Sequence, residues 1–245
     1  MIDIEYIKLG NKLLKNGEIR TTRNGKTLSI FGEQIKHDMQ DGFPIISLRK
    51  IYTKGIIGEF KSFLEDANTL SQFEANGCNY WRLWASANGS LTLDYPPRKQ
   101  LDYVIDLLKN DPTSRRIIID LWNPENRGKL SLDPCHTQYQ FYVRAGKYLD
   151  MVWTQRSVDY AVGMPSDFIL AALYVDYISK EVGLEPGAIT FNLGDIHLYE
   201  EHIEEFKKLM RVTPALFPIP YTFNNWELLL NNYAPLPAIK FELKA

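Results

Sequence analysis

Cysteine is scarce in this sequence, which has only Cys78 and Cys135 among its 245 residues. Two cysteines are too few for the disulfide framework that holds small secreted domains together. Long apolar runs are absent as well, and none approaches the roughly 20 residues that span a bilayer. The chain does not begin with a basic segment followed by an apolar one, so we expect no secretion signal. We therefore expect a cytoplasmic protein, located in the host cytoplasm if its source is viral.

Neither sign of charge is in excess. The 28 Lys and Arg residues are opposed by 30 Asp and Glu residues, which gives a net charge of −2. Such a chain has no bulk attraction for nucleic acid or anionic lipid, so we expect neither nucleic acid nor membrane as its main ligand. The sequence has no repeat, no low-complexity stretch and no linker. We therefore predict a single domain over residues 1–245.

Hydrophobic periodicity predicts helices and strands that are mixed along the chain without strict alternation. Apolar residues at helical spacing predict helices over 3–16, 54–66, 99–110, 167–182 and 199–210. Apolar runs typical of strands cover 27–36, 43–48, 116–122, 137–144, 148–156 and 188–193. This order favours an α+β fold with a mixed sheet.

The sharpest local feature is the segment Asp133-Pro134-Cys135-His136, between two extended runs. A cysteine after a proline lies on a constrained turn, and its thiolate is reactive where cations or backbone donors surround it. On these residues alone, Cys135 is either a nucleophile or a small buried hydrophobe. Cys78 has no such surroundings and is predicted to be buried. Four arginines are candidate cations near Cys135: Arg115, Arg116, Arg144 and Arg156.

Several charged residues also have two interpretations. Arg115 and Arg116 are adjacent, so in a strand they point to opposite faces. They are either an anion clamp, with one arginine serving a partner subunit, or two solvated surface groups. Arg156 and Ser157 combine a guanidinium with a hydroxyl, the usual phosphate ligands outside glycine-rich loops. Glu59 lies beside an apolar helical stripe, so it is either a proton carrier with a raised pKa or an exposed carboxylate.

Histidine and cysteine spacing does not indicate a metal site. Cys135 and His136 are adjacent, and His197 and His202 are five residues apart, which does not place them on one helical face. Nothing supplies a third or fourth ligand, so we predict no metal. The remaining candidates form an aromatic cluster that core packing alone would explain: Trp81, Trp84 and Tyr95.

Taken together, the motifs resemble the thymidylate synthase family. In chain order they are TLSIF at 27–31, DGFP at 41–44, DPTSRR at 111–116, PCH at 134–136, QRSxDxxxGxP at 155–165 and GDxHxY at 194–199. The resemblance implies the family's α+β sandwich with a mixed sheet, and a homodimer packed through its sheets. It also implies folate-dependent transfer of one carbon to C5 of a pyrimidine deoxynucleoside 5′-monophosphate. The co-substrate would be 5,10-methylenetetrahydrofolate, with no metal.

The resemblance further implies a role for each matching residue. Cys135 would be the nucleophile that adds to C6 of the pyrimidine, which makes C5 reactive enough to attack the one-carbon unit. Glu59 would organise water and relay protons, and Tyr95 would act near the proton-abstraction step. Asp167 would read the base and share in catalysis.

Binding roles follow in the same way. The implied nucleotide-binding residues are Arg23, Arg115, Arg116, Gln155, Arg156, Ser157, Asp167, His197 and Tyr199. Within this set, Arg115 and Arg116 would cross the dimer interface to the partner's phosphate. The loop at Arg23 is one residue shorter than the family's pattern. The implied folate-binding residues are Trp81, Trp84, Asp159 and Gly163.

The base-reading position departs from the family. Where the family has Gly-x-Pro-Phe-Asn, this chain has Gly163-Met164-Pro165-Ser166-Asp167. An Asn amide can pair with both O4 and N3–H of uracil, whereas a carboxylate accepts from the 4-amino group of cytosine. A carboxylate facing uracil O4 would cost about 1–3 kcal/mol. Asp167 therefore predicts dCMP over dUMP, as in the similar phage dCMP hydroxymethylases. If Asp167 is protonated, or is a change without consequence, dUMP remains the substrate.

The product depends on whether water or hydride completes the reaction. The tail from Lys240 to Ala245 is more polar than the family's, and a wetter closure favours water. Asn192 also replaces a residue usual in methylating members, whereas Trp81 and Trp84 are kept as in those members. The sequence therefore predicts 5-hydroxymethyl-dCMP, with 5-methyl-dCMP and dTMP as alternatives. A catalytically silent relative that binds nucleotide or RNA is a further alternative.

Overall fold

The described part of the chain folds around one six-stranded mixed sheet. The computed structural model describes residues 1–95, 98–214 and 233–244. The strands are Glu18–Thr22 (β1), Gly25–Asp38 (β2), Ile118–Asp120 (β3), His136–Arg144 (β4), Tyr148–Asp159 (β5) and Glu185–Tyr199 (β6). Their order is β1-β2-β6-β5-β4-β3, and every neighbouring pair is antiparallel except β5 with β6. The predicted α+β class with a mixed sheet is confirmed.

The helices are Ile2–Asn16 (α1), Thr53–Leu64 (α2), Leu70–Ala75 (α3), Arg98–Asn110 (α4), Gly163–Val182 (α5) and Ile203–Leu209 (α6). Helix α5 is the most deeply buried of them and packs between the sheet and α2. Its Phe168 ring meets Phe191 of β6 edge-on at 5.0 Å, and its Tyr174 ring meets Phe60 of α2 at 5.0 Å. Among the described residues, no helix is long and apolar enough to cross a bilayer.

Two strand predictions are corrected. Residues 43–48 are largely buried but form no strand, because their backbone groups bond to side chains and to a distant segment. Asp3 accepts the N–H of Ser47 at 2.8 Å, and Tyr233 donates its hydroxyl to the carbonyl of Ile46 at 2.9 Å. The strand predicted over 116–122 is limited to β3.

Strand β1 and helix α3 were not predicted. Strand β1 is exposed along its whole length, so its sequence lacks the alternation of apolar and polar residues that predicts a strand. Helix α3 is a single short element fixed by a capping box between Thr69 and Gln72.

The register of the parallel pair aligns the polar ends of two strands. Ser157 and Asp159 of β5 lie opposite Asp195 and His197 of β6. The two backbones approach closely at Gly194, where an added Cβ would lie 2.6 Å from the carbonyl oxygen of Arg156. Only glycine permits this contact. The register therefore brings the QRSxD and GDxHxY motifs side by side.

Candidate functional site

A cavity of about 530 Å³ lies where the ends of β5 and β6 meet α2, α5 and the turn before β4. Every predicted site residue lines it except Arg115 and Arg116. The lining residues are Arg23, Glu59, Trp81, Trp84, Tyr95, Cys135, Gln155, Arg156, Ser157, Asp159, Gly163, Asp167, His197 and Tyr199. The fold thus brings together residues from the whole chain, while their individual roles stay predictions.

Cys135 occupies the turn immediately before β4 and is a free thiol. Its backbone N–H donates to the hydroxyl of Tyr95 at 2.8 Å, and its carbonyl accepts from the N–H of Arg156 at 2.9 Å. Burial raises the pKa of the Cys135 thiol, and the Arg156 guanidinium opposes this effect. The nearby cation is therefore the group that favours the reactive thiolate.

Arg156 is held against the cysteine turn by two hydrogen bonds. Its Nε donates to the carbonyl of Pro134 and its Nη2 to the carbonyl of Asp133, each at 2.8 Å. The guanidinium also lies over the Trp122 ring, 5.3 Å from its centroid. An arginine has five N–H donors, so others remain for an anion in the cavity.

Glu59 enters the cavity from α2. The helix approaches the loop before Cys78 so closely that a Cβ on Gly58 would lie 2.4 Å from the carbonyl oxygen of Asn76. The indole N–H of Trp81 donates to the Glu59 carboxylate at 2.8 Å. Burial raises the pKa of Glu59 to about 8, while the Trp81 hydrogen bond lowers it. A carboxyl group with this pKa can take up and release a proton near neutral pH.

The aromatic cluster forms one wall of the cavity. The ring of Trp81 lies 5.8 Å from those of both Trp84 and Tyr95, and Phe63 stacks on Tyr95 at 5.1 Å. Burial raises the pKa of Tyr95 well above its usual value, so this phenol keeps its proton. Cys78 lies behind this wall, fully buried as predicted.

Asp159 and His197 lie at the paired ends of β5 and β6. One oxygen of Asp159 accepts from the N–H groups of Ala161 and Val162 at 3.0 and 3.1 Å, and burial raises the pKa of this carboxyl. His197 Nδ1 lies 3.0 Å from the Asp195 carboxylate, which also pairs with Arg20 at 2.8 Å. With Nδ1 bonded to Asp195, Nε2 of His197 is left for a ligand hydroxyl.

Asp167 is buried at the first turns of α5, and both of its oxygens have partners. Gln155 Nε2 donates to Oδ2 at 2.7 Å, and His136 Nε2 lies 3.1 Å from Oδ1. Gly163 lies one helical turn earlier, where an added Cβ would meet nothing nearer than Asp167 Oδ2 at 3.7 Å. Packing within the chain therefore does not require glycine there, and the open space is available to a ligand.

The C-terminal segment closes one side of the cavity with Phe241, Leu243 and Lys244. Phe241 lies beneath the Arg49 guanidinium, 5.2 Å from ring centroid to Cζ, and edge-on to His202 at 5.3 Å. Farther back, Tyr233 accepts from the N–H of Ile51 at 3.0 Å. The polar tail of the sequence therefore still presents an apolar side chain to the cavity. Its last residue, Ala245, is outside the described residues.

Arg115 and Arg116 are exposed in the loop before β3, outside the cavity of their own chain. Arg144, once a candidate neighbour of Cys135, instead pairs with Asp150 at 2.8 Å and does not line the cavity. Asn192 accepts a hydrogen bond from Gln34 at 2.8 Å and is also outside the cavity.

The lining residues that the sequence analysis did not assign to the site include three polar ones: Asn24, Arg49 and His136. Asn24 bonds to Tyr199 from the β1–β2 turn. His136 was considered only as a metal ligand, although its place after Cys135 in the PCH motif was the signal available. The partners of Arg49 and Asn24 are distant in sequence, so no local pattern marks them. Within the described ranges, no three His, Cys, Asp or Glu side chains group as metal ligands.

The comparison with protein families agrees with this geometry. A family model described as thymidylate synthase matches residues 4–245, almost the whole chain.

Proposed function

The chain belongs to the thymidylate synthase family, and on that premise we propose that it transfers a hydroxymethyl group to C5 of dCMP. The family's chemistry is folate-dependent one-carbon transfer to C5 of a pyrimidine nucleotide, so the chain is a transferase of that class. What the family alone does not decide is which base the enzyme accepts and which group it adds at C5.

The observation that carries the choice of base is the pairing of Asp167. Gln155 donates to one of its oxygens, and His136 contacts the other. These contacts suit an ionised carboxylate, which offers only acceptors. Cytosine presents a 4-amino donor to such a group, whereas uracil presents the O4 acceptor. Leaving two buried acceptors face to face costs about 1–3 kcal/mol, which favours dCMP.

In this proposal Cys135 is the nucleophile. Its thiolate adds to C6 of the pyrimidine, and C5 becomes an enamine carbon that can attack an electrophilic one-carbon unit. Arg156 favours the thiolate, and Tyr95 holds the turn that presents it. Elimination of the thiolate at the end restores the pyrimidine ring and frees the enzyme.

Glu59 is the proton carrier of the proposal. With a pKa of about 8, it has both the protonated and the ionised form available at neutral pH. Trp81 holds one carboxylate oxygen, so the other can order water in the cavity.

The cavity suits methylenetetrahydrofolate, which supplies the one-carbon unit when bound. Trp81, Trp84 and Phe241 offer apolar surface for a flat heteroaromatic ring. The open side of Gly163 leaves room beside them, and the second oxygen of Asp159 can accept from a ring N–H. These residues would hold the folate.

The remaining polar residues would hold the nucleotide. Arg156 and Ser157 provide the guanidinium and hydroxyl donors that a phosphate needs, and Arg23 lines the same cavity. His197 and Tyr199 would bind the ribose hydroxyl groups.

We assign Arg115 and Arg116 to the phosphate of a partner subunit in a homodimer. Both are exposed and do not reach the cavity of their own chain. Large apolar side chains are also exposed on three strands of the sheet: Ile19, Phe31 and Tyr142. In a symmetric dimer each subunit would complete the other's site.

Water completes the reaction in this proposal. The balance is dCMP, methylenetetrahydrofolate and water giving 5-hydroxymethyl-dCMP and tetrahydrofolate, with no net oxidation. Methylation would instead take a hydride from tetrahydrofolate and leave dihydrofolate. The apolar wall of Trp81, Trp84 and Phe241 favours this alternative, because a dry site disfavours water.

The base assignment is tested by Asp167→Asn. We expect the ratio of kcat/KM for dCMP to that for dUMP to fall by about 10-fold or more. Asp176→Asn is the matched control, because Asp176 is a buried aspartate on the same helix that does not line the cavity. An unchanged ratio in Asp167→Asn would show that Asp167 does not read the base.

A further inference from the structure

A stacked aromatic pair lies behind Asp167 without lining the cavity. Trp153 of β5 and Tyr139 of β4 are register partners in the sheet, and both are essentially unexposed. Their ring centroids are 4.4 Å apart, with 19° between the planes. The polar atom of each ring begins a hydrogen-bonded chain that ends on a different oxygen of Asp167.

The first chain runs through Gln155. The indole N–H of Trp153 donates to Gln155 Oε1 at 3.0 Å, and Gln155 Nε2 donates to Asp167 Oδ2 at 2.7 Å. An indole can only donate, so Gln155 must present its oxygen to Trp153. The NH2 group of Gln155 therefore faces Asp167. Trp153 thus fixes the orientation of an amide that would otherwise be free to flip.

The second chain runs through His136. Its Nδ1 lies 3.0 Å from the Tyr139 hydroxyl, and its Nε2 lies 3.1 Å from Asp167 Oδ1. Burial raises the pKa of Tyr139 well above its usual value, so the phenol keeps its proton. If Tyr139 donates to Nδ1, the neutral ring carries its proton on Nε2 and donates to Asp167.

We propose that Trp153 and Tyr139 are positioning residues that set the base specificity of this enzyme through Gln155 and His136. They direct donors onto both oxygens of Asp167, which keeps it an acceptor toward the base. This inference rests on the proposed reading of cytosine by Asp167. It adds that the choice of base depends on two residues that contact neither the nucleotide nor the folate.

The consequence of losing either chain follows from hydrogen-bond matching. Without the indole N–H, Gln155 can turn its oxygen toward Asp167, and two acceptors then meet unless Asp167 takes up a proton. A protonated Asp167 donates to O4 of uracil and no longer favours the cytosine amino group. Without the Tyr139 hydroxyl, the His136 proton can move to Nδ1. The bare Nε2 then faces Oδ1 of Asp167, and two acceptors again meet unless Asp167 takes up a proton.

The test uses Trp153→Phe and Tyr139→Phe, which keep both rings. Each variant is expected to lower the dCMP to dUMP ratio of kcat/KM by about 10-fold, the effect of one hydrogen bond. Tyr174→Phe is the matched control. Tyr174 packs on Tyr139 with ring centroids 5.4 Å apart, and its buried hydroxyl has no hydrogen-bond partner among the described residues. This control should leave the ratio within about twofold.

A second measurement needs no substrate. The indole proton of Trp153, followed by ¹⁵N–¹H NMR, should move upfield in Asp167→Asn, because Gln155 loses a charged partner that polarises it. Asp176→Asn should leave this resonance in place. If the wild-type enzyme turned over dUMP and not dCMP, the proposed substrate would be wrong. The indole shift would still report whether the hydrogen-bonded chain from Trp153 to Asp167 forms. An unmoved resonance, or an unchanged ratio in both ring variants of an enzyme that uses dCMP, would overturn the inference.

Discussion

The phenol of Tyr95 accepts the backbone N–H of Cys135 at 2.8 Å, so a side chain 40 residues earlier fixes the turn that carries the thiol. Tyr95 is itself held by the stacked ring of Phe63 in α2. The position of the Cys135 thiol therefore depends on packing between α2 and the segment before α4, as well as on the sheet.

Tyr95→Phe removes this anchor and leaves the ring. We expect kcat to fall about 10- to 100-fold, since an unpaired backbone N–H costs about 1–3 kcal/mol and the turn loses its fixed geometry. Steady-state kinetics measures the effect. The control is Tyr103→Phe, at a half-exposed position on α4. Wild-type kcat in Tyr95→Phe would mean that the anchor does not matter to catalysis.

Cys135→Ala should abolish turnover and leave nucleotide binding in place, because the covalent step needs the thiolate. Calorimetric titration with dCMP reports binding. Mass spectrometry of the wild-type protein with a 5-fluoropyrimidine nucleotide and folate should find a covalent adduct on Cys135. Cys78→Ala is the control, and it should lose about 1 kcal/mol of stability while it still turns over. Retained turnover in Cys135→Ala would exclude the covalent mechanism.

The raised pKa of Glu59 predicts that the stability of the protein depends on pH. This pKa is raised from 4.5 to about 8, so the folded state binds more protons than the unfolded state between those values. The free energy of unfolding therefore falls as pH rises through this window, by at most about 5 kcal/mol.

Glu59→Gln should remove the contribution of Glu59 and so make the dependence on pH shallower than in the wild type, as denaturant unfolding at pH 5 and pH 8 measures. Glu181→Gln, at an exposed position on α5, should keep the slope of the wild type. Equal slopes in Glu59→Gln and the wild type would show that the carboxyl is not held protonated.

The dimer assignment predicts complementation between two inactive variants. We mix Cys135→Ala with the double variant Arg115→Ala and Arg116→Ala. In the mixed dimer, one site has an intact cysteine and receives intact arginines from its partner. Activity should recover to about a quarter of the wild-type level after random exchange of subunits. No recovery, with dimers confirmed by light scattering, would place these arginines outside the partner's site.

The family resemblance carried by the local motifs was enough to predict most of the polar lining of the cavity, because many of its residues lie in short segments. The QRSxD and GDxHxY segments lie side by side once β5 and β6 pair, and the PCH turn is next to them. The hydrogen-bonded chain from Trp153 through Gln155 to Asp167 was not predictable, because it depends on the orientation of one amide. Burial of 43–48 without strand pairing depends on Asp3 and Tyr233, which no periodicity connects to that segment.

A competition between the two nucleotides tests both the base that the enzyme accepts and the group that it adds. The enzyme is incubated with methylenetetrahydrofolate and equal amounts of dCMP and dUMP, and the products are identified by mass while absorbance follows dihydrofolate. We expect a hydroxymethyl group on cytosine and no dihydrofolate. A methyl group on cytosine with dihydrofolate would keep Asp167 as the base reader and contradict the role of water. A methyl group on uracil would contradict both assignments.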